Sequence, residues 1–83
     1  MYYVYVLKLN KNTKKNFYIG YSFDLKKRIV QHKKGLVKTT KNKNPELVYY
    51  EAYNSEIIAR RREINLKKFG SAYTGLLKRI ELK

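Results

Sequence analysis

From its second residue the chain alternates, with Tyr3, Tyr5 and Leu7 on one side and Tyr2, Val4 and Val6 on the other. Successive strand residues point to opposite faces, and both sets are apolar or aromatic. Tyr2 to Leu9 is therefore expected to be a strand covered on both faces. The polar stretch Asn10–Asn16 reads as a turn, and Phe17-Tyr18-Ile19-Gly20 as a short second strand that Gly20 ends, so the two form a hairpin. Ser22 is placed to cap the helix that follows, near 23–34. Asp24 sits in its first turn against the positive dipole end, and Gly35 closes it. On a helical projection Leu25, Arg28, Ile29 and His32 share one arc, which puts Arg28 and His32 at the border of the core.

Lys33 to Asn44 is a long basic connection. Beyond Pro45, Glu46 to Tyr53 alternates as Leu47/Tyr49/Tyr53 and Val48/Tyr50/Ala52, a third strand. Asn54 or Ser55 caps a second helix near 56–69. This helix aligns Ile58, Ala59, Leu66 and Phe69, with Glu63 at the stripe's edge, about 40° from Ala59. Gly70 ends it and Ser71 begins a third helix, with apolar positions at Tyr73, Leu76, Leu77 and Ile80. The element order is ββαβαα, an α+β class.

Composition narrows what such a domain can do. With 83 residues there is room for one domain, 1–83, with one small core. The absence of cysteine excludes disulfides, thiolate metal sites and cysteine nucleophiles. The longest apolar run near the start, Val4 to Leu7, is too short for a signal peptide or a membrane span, so a cytoplasmic protein without a membrane partner is expected. The net charge is +14, and residues 8–43 carry eleven lysines and Arg28 against Asp24 alone. Clustered positive charge of this kind suits a polyanion, nucleic acid above all, because phosphate contacts release condensed counterions.

Several residues then fall into a pattern. Tyr5 stands thirteen residues before Tyr18-Ile19-Gly20, Arg28 lies ten residues beyond Tyr18, and His32 follows one helical turn later. Glu63 occupies an acidic position on a late helix, in Ala59-Arg60-Arg61-Arg62-Glu63. Together, in this order and on these elements, they resemble the signature of the GIY-YIG nucleases across nearly the whole chain. Tyr3-Val4-Tyr5 stands where that family has Gly-Ile-Tyr, and Tyr18-Ile19-Gly20 matches outright. The chain looks like the small stand-alone branch of the family. The resemblance implies a three-stranded antiparallel sheet flanked by helices, a nucleic-acid substrate with DNA ahead of RNA, and hydrolysis of a phosphodiester with one divalent cation, Mg²⁺ or Mn²⁺.

The chemistry agrees with the resemblance. Phosphodiester hydrolysis needs an activated water, neutralised phosphoryl oxygens and help for the leaving oxygen. Asp24 and Glu56 lie in first helical turns and Glu81 is terminal, which leaves Glu46, Glu51 and Glu63. Only Glu63 borders an apolar stripe, so it is the candidate metal ligand, and a single carboxylate suits Mg²⁺. Periodicity alone also allows an exposed Glu63 paired with Lys67. Arg28 is the candidate for bidentate contact with phosphate. Tyr18 is assigned to water activation and Tyr5 to positioning. His32 is the rival base, with a buried histidine bonded to backbone an equal reading.

Binding is expected from Tyr21 by stacking, and from Lys26, Lys27, Lys33, Lys34, Lys38, Lys41 and Lys43 on phosphates. A non-catalytic binding module of the same fold is the alternative. Three departures from the family pattern stand at Tyr3 for glycine, Tyr21 where some relatives have lysine, and Gly75 where some relatives have asparagine. Ser22 or a lysine of the 33–43 loop are candidates to replace the missing donors.

Overall fold

The computed structural model describes residues 1–9, 17–68 and 70–81, apart from the side chain of Glu81. The expected turn Asn10–Asn16 and the expected stripe residue Phe69 lie outside these residues. The elements are β1 (Tyr2–Lys8), β2 (Phe17–Ser22), α1 (Leu25–Lys33), β3 (Glu46–Tyr53), α2 (Glu56–Lys68) and α3 (Gly70–Glu81). The strands form one antiparallel sheet in the order β2-β1-β3, so the order ββαβαα and the α+β class hold.

β1 is central because it is the strand with no polar side. Its four consecutive residues Val4, Tyr5, Val6 and Leu7 are all buried. On one face Val4 and Val6, joined by Ile19 of β2, pack against Ala59 and Leu66 of α2 and Leu76 of α3. That is the apolar core. On the other face Tyr5 and Leu7 lie beneath α1 and the basic connection, where His32 and Thr40 are buried. The second face is thus closed by polar aromatic packing rather than by aliphatic side chains.

Four local expectations are corrected. Gly20 does not end β2, which runs two residues further. It sits opposite Tyr5, and its missing side chain makes room for that ring. Asp24, not Ser22, is the N-cap of α1, its carboxylate accepting the Lys27 N–H at 3.1 Å, while Ser22 Oγ accepts the Asp24 N–H instead. The helix therefore starts at Leu25 rather than 23. α3 starts at Gly70 itself rather than after it. Lastly, strict alternation fails in β3, because a bulge shifts the register opposite Val6 and Leu7. Leu47 pairs with Leu7 and joins Tyr50 on the Tyr5 face, whereas Val48 packs with Tyr49 and Tyr53 on the core face.

The stripe of α2 is narrower than its periodicity suggests. Ala59 and Leu66 are buried, but Ile58 is 50% exposed. Ser55 caps this helix through the Ile58 N–H, and Ala59 N–H reaches the Ser55 carbonyl. No helix among the described residues is long and apolar enough to cross a membrane.

Leu66 and Ile58 therefore give a direct comparison. Leu66→Ala should cost about 2–5 kcal/mol, the range for a cavity left by a buried leucine, and Ile58→Ala less than about 1 kcal/mol. Urea unfolding of both variants measures it, and equal losses would contradict the packing described.

Candidate active site

Tyr5 is fully buried, and its ring lies directly across Gly20. A Cβ on Gly20 would fall 2.4 Å from the Tyr5 hydroxyl oxygen, far inside contact distance. The flat glycine backbone is what lets the phenol reach across β2 towards its outer edge. Tyr18, two residues before Gly20, projects from the same face of the sheet. Its ring centroid lies 6.3 Å from that of Tyr5. His32 of α1 comes down on both, edge-on, at 5.6 Å from Tyr5 and 5.2 Å from Tyr18.

The polar atoms of this cluster form a chain. Tyr5 Oη and His32 Nε2 are 2.8 Å apart, His32 Nδ1 and Thr40 Oγ1 2.7 Å, and Thr40 Oγ1 reaches the Val37 carbonyl at 3.5 Å. Donor and acceptor counting assigns the protons. If His32 carries its proton on Nδ1, Tyr5 donates to Nε2, Nδ1–H donates to Thr40, and Thr40 donates to Val37. Every buried group is then satisfied. With the proton on Nε2, the Tyr5 hydroxyl would lose its acceptor in a fully buried site, which is costly. His32 is thus held neutral: burial first, and the charge of Arg28 second, pull its pKa down to about 4.

Arg28, one turn before His32, brings its guanidinium to the Tyr5 hydroxyl and, less strongly, to that of Tyr18. One of its N–H groups also donates to Gln31 Oε1 at 3.1 Å. Burial pushes the Tyr5 phenol up to about 12, against the lowering influence of Arg28, so Tyr5 is protonated at neutral pH.

Glu63 approaches from the other side of the sheet. The periodicity of α2 points Arg62 and Glu63 to opposite flanks of the Ala59–Leu66 stripe. Arg62 turns to β3, where Nε and one Nη donate to the two Glu51 oxygens at 2.9 and 3.0 Å. Glu51 also accepts from the hydroxyls of Tyr49 at 2.6 Å and Tyr53 at 2.5 Å. Along the other flank, Glu56 accepts from the Tyr21 hydroxyl of β2 at 3.0 Å, and Arg60 lies 4.5 Å over the Tyr21 ring. Glu63 follows two turns after Glu56, on that same flank. Its side chain is 19% exposed, and Lys67 Nζ lies 3.1 Å from it. The charge of Glu63 is felt at the Tyr5 hydroxyl, where it adds to the upward shift.

Tyr5, Tyr18, Arg28 and His32 are therefore brought into one cluster, with Glu63 in electrostatic reach. Tyr21 is not among them. It faces α2, with Arg60 over its ring. Lys26, Lys27, Lys33, Lys34, Lys38 and Lys41 are exposed on α1 and the connection, and Lys43 is half-buried there. Gly75 has open space around it, with nothing within 4 Å of a side-chain position. Thr40 is the residue sequence reasoning missed, and no signal in a polar, lysine-rich loop marks one threonine as buried. Among the described residues no three acids or histidines are placed to share a metal. A cation here would have Glu63 as its one carboxylate and take its other ligands from water and phosphate, a donor set that fits Mg²⁺.

The model for the GIY-YIG catalytic domain matches residues 1–76. The chain belongs to the GIY-YIG family. Its relatives include UPF0213 proteins from Staphylococcus saprophyticus and Staphylococcus epidermidis, each 36% identical over 70 residues, and from Staphylococcus haemolyticus, 39% identical over 70. In each case the match covers 82% of this chain and 82% of the relative. No solved structure gives a significant match. A GIY-YIG domain is nuclease-type, and within this one Tyr5, Tyr18 and Gly20 fall on the adjacent strands β1 and β2 that carry the signature.

Two outcomes test the cluster of this GIY-YIG domain. Gly20→Ala should displace the Tyr5 ring and lower stability by about 1–3 kcal/mol, the cost of overpacking, with Tyr5→Phe not restoring it because the clash includes ring carbons. The melting temperatures of the single and double variants report this. Burial of neutral His32 also makes stability pH-dependent. The unfolded histidine binds a proton near pH 6.5, the folded one only near 4, so this contribution is complete above about 6.5. It is lost as pH falls from there to about 4, and amounts to roughly 3 kcal/mol. Urea titrations across that window should show the slope in the wild type and lose it in His32→Gln.

Proposed function

We propose that this domain hydrolyses phosphodiester bonds of nucleic acid, DNA ahead of RNA, with a divalent cation. The observation that carries the reading is the convergence of the Tyr5, Tyr18 and Arg28 polar groups, with the Glu63 carboxylate close enough for its charge to act on Tyr5. Arg62, which also lies beside two phenols, is neutralised by Glu51, whereas the described partners of Arg28 are Tyr5, Tyr18 and Gln31, which leaves its charge for an anion.

In this reading Arg28 receives the scissile phosphate. It is charged at any working pH, its pKa pushed up further chiefly by the Tyr5 hydroxyl, and its fork suits two phosphoryl oxygens. Tyr18 is the hydroxyl for the attacking water, because it is the phenol of the pair not tied to His32. His32 is unsuited to act on water directly, since both ring nitrogens are engaged and it is 1% exposed. Its part is to hold Tyr5, whose buried hydroxyl in turn positions the Arg28 guanidinium for phosphate. Mg²⁺ or Mn²⁺ bound at Glu63 would neutralise charge on the phosphoryl oxygens and make water more acidic. The lysines of α1 and the connection supply contacts to the remaining phosphates, which favour binding without base specificity.

The deciding experiment incubates purified protein with labelled duplex, flap, branched and single-stranded substrates, with and without Mg²⁺ or Mn²⁺. Glu63→Gln, Arg28→Ala and Tyr18→Phe should fold and lose cleavage by orders of magnitude. Glu63→Gln should also bind substrate as tightly as the wild type or slightly more so, because it removes a negative charge facing phosphates. Binding without cleavage in the wild type would instead favour a non-catalytic module, and full activity in Glu63→Gln would exclude the metal assignment.

A further inference from the structure

α1 rests on the sheet through Tyr5 and His32, which fill the gap on its β2 flank. Its β3 flank is left open. There a groove of about 620 Å³ runs between α1 and the β1–β3 pair, within the size range of ligand sites. Phe23, Leu25, Ile29 and Val30 line it from the α1 side, and Tyr3, Tyr50 and Leu47 from the sheet. Leu47 faces the groove because the bulge in β3 turns it that way. Phe23 is 75% exposed and Tyr50 54%, and because both line the same groove they form a contiguous apolar surface rather than scattered exposed residues. Tyr3 meets Tyr50 edge to face, with centroids 6.1 Å apart.

The rim decides what this surface can hold. Lys26 and Lys33 line the groove, Lys27 and Lys34 continue the charge on α1, and the groove's single acid, Asp24, is occupied at the helix cap. A second copy of a chain carrying +14 would be repelled. The complementary occupant carries planar apolar groups on a polyanionic backbone. Duplex DNA does not offer these, since its bases are stacked inside.

We propose that this groove binds unpaired nucleotides, with bases against Phe23 and Tyr50 and phosphates on Lys26 and Lys33. The inference rests on the nuclease reading and deepens it, since it makes the substrate one with a single-stranded segment beside the cut. The topology allows it. Tyr50 pairs directly with Tyr5 across the sheet, so the groove and the Tyr5 cluster lie on the same face, on either side of α1. A strand passing the N-terminal end of α1, at Phe23 and Asp24, would join them.

Binding in the absence of metal tests the groove separately from cleavage. Fluorescence anisotropy of labelled oligothymidylate and of a mixed-sequence duplex, with chelator present, should give weaker single-strand binding in Phe23→Ala and Tyr50→Ala by roughly tenfold each. Duplex binding should change by less than about twofold, because neither substitution alters charge. Quenching of a 2-aminopurine base in the single strand should accompany wild-type binding and diminish in both variants. Val30→Glu, which puts a carboxylate in the groove wall, gives a third arm should loss of Tyr50 disturb Tyr3. Unchanged single-strand affinity in folded variants would overturn the proposal, as would equal losses for duplex. So would self-association of the wild type that these substitutions abolish, seen by sedimentation. Failure of Glu63→Gln to stop cleavage bears on the metal assignment and leaves these readouts unaffected.

Discussion

The close approach of the Tyr5 ring to the Gly20 backbone is the constraint on which the site's face of the sheet depends. It sets how far the phenol extends over β2 and therefore where its oxygen meets His32 and Arg28. It also explains why this face tolerates a helix held by few aliphatic contacts. The two aromatic rings and the imidazole act as spacers, and the polar atoms of Tyr5 and His32 are satisfied by each other and by Thr40. Removing one link leaves the next buried group without a partner, so this side of the molecule responds as a unit.

The two faces of β1 thus perform different tasks with the same strand. Val4 and Val6 gain stability from non-directional burial, which tolerates replacement by residues of similar size. Tyr5 is held by direction as well as volume. α2 shows the same division between neighbouring residues: Arg62 is bound to the saturated Glu51 carboxylate, while the partner of Glu63 among the described residues is the exposed Lys67. The rigid contact fixes the helix's rotation and leaves the next side chain able to take another partner.

Much of this was legible in the sequence. Alternation in Tyr2–Leu7 required a strand covered on both sides, and the spacing of Tyr5, Tyr18, Arg28 and His32 placed them on adjoining elements. What was not legible depended on contacts between distant segments. Gly20 read as a stop because a glycine's local meaning is a turn, whereas here it accommodates a ring from another strand. The bulge opposite Val6 and Leu7 leaves no mark on an apolar run, so simple alternation puts Leu47 and Val48 on the faces opposite to those they occupy. Ser22 and Asp24 are both good caps, and only geometry distinguishes them. Thr40 was hidden among lysines.

The hydrogen bond between His32 and Thr40 joins residues eight apart and closes the first part of the basic connection into a loop. The left-handed backbone at Gly35 begins that turn. Chain ordering of this kind occurs once, during folding, and need not be repeated on each encounter with a ligand. Lys38, within the loop, and Lys41, just beyond it, are consequently presented as a preformed array, whose spacing rather than number determines which polyanions it fits.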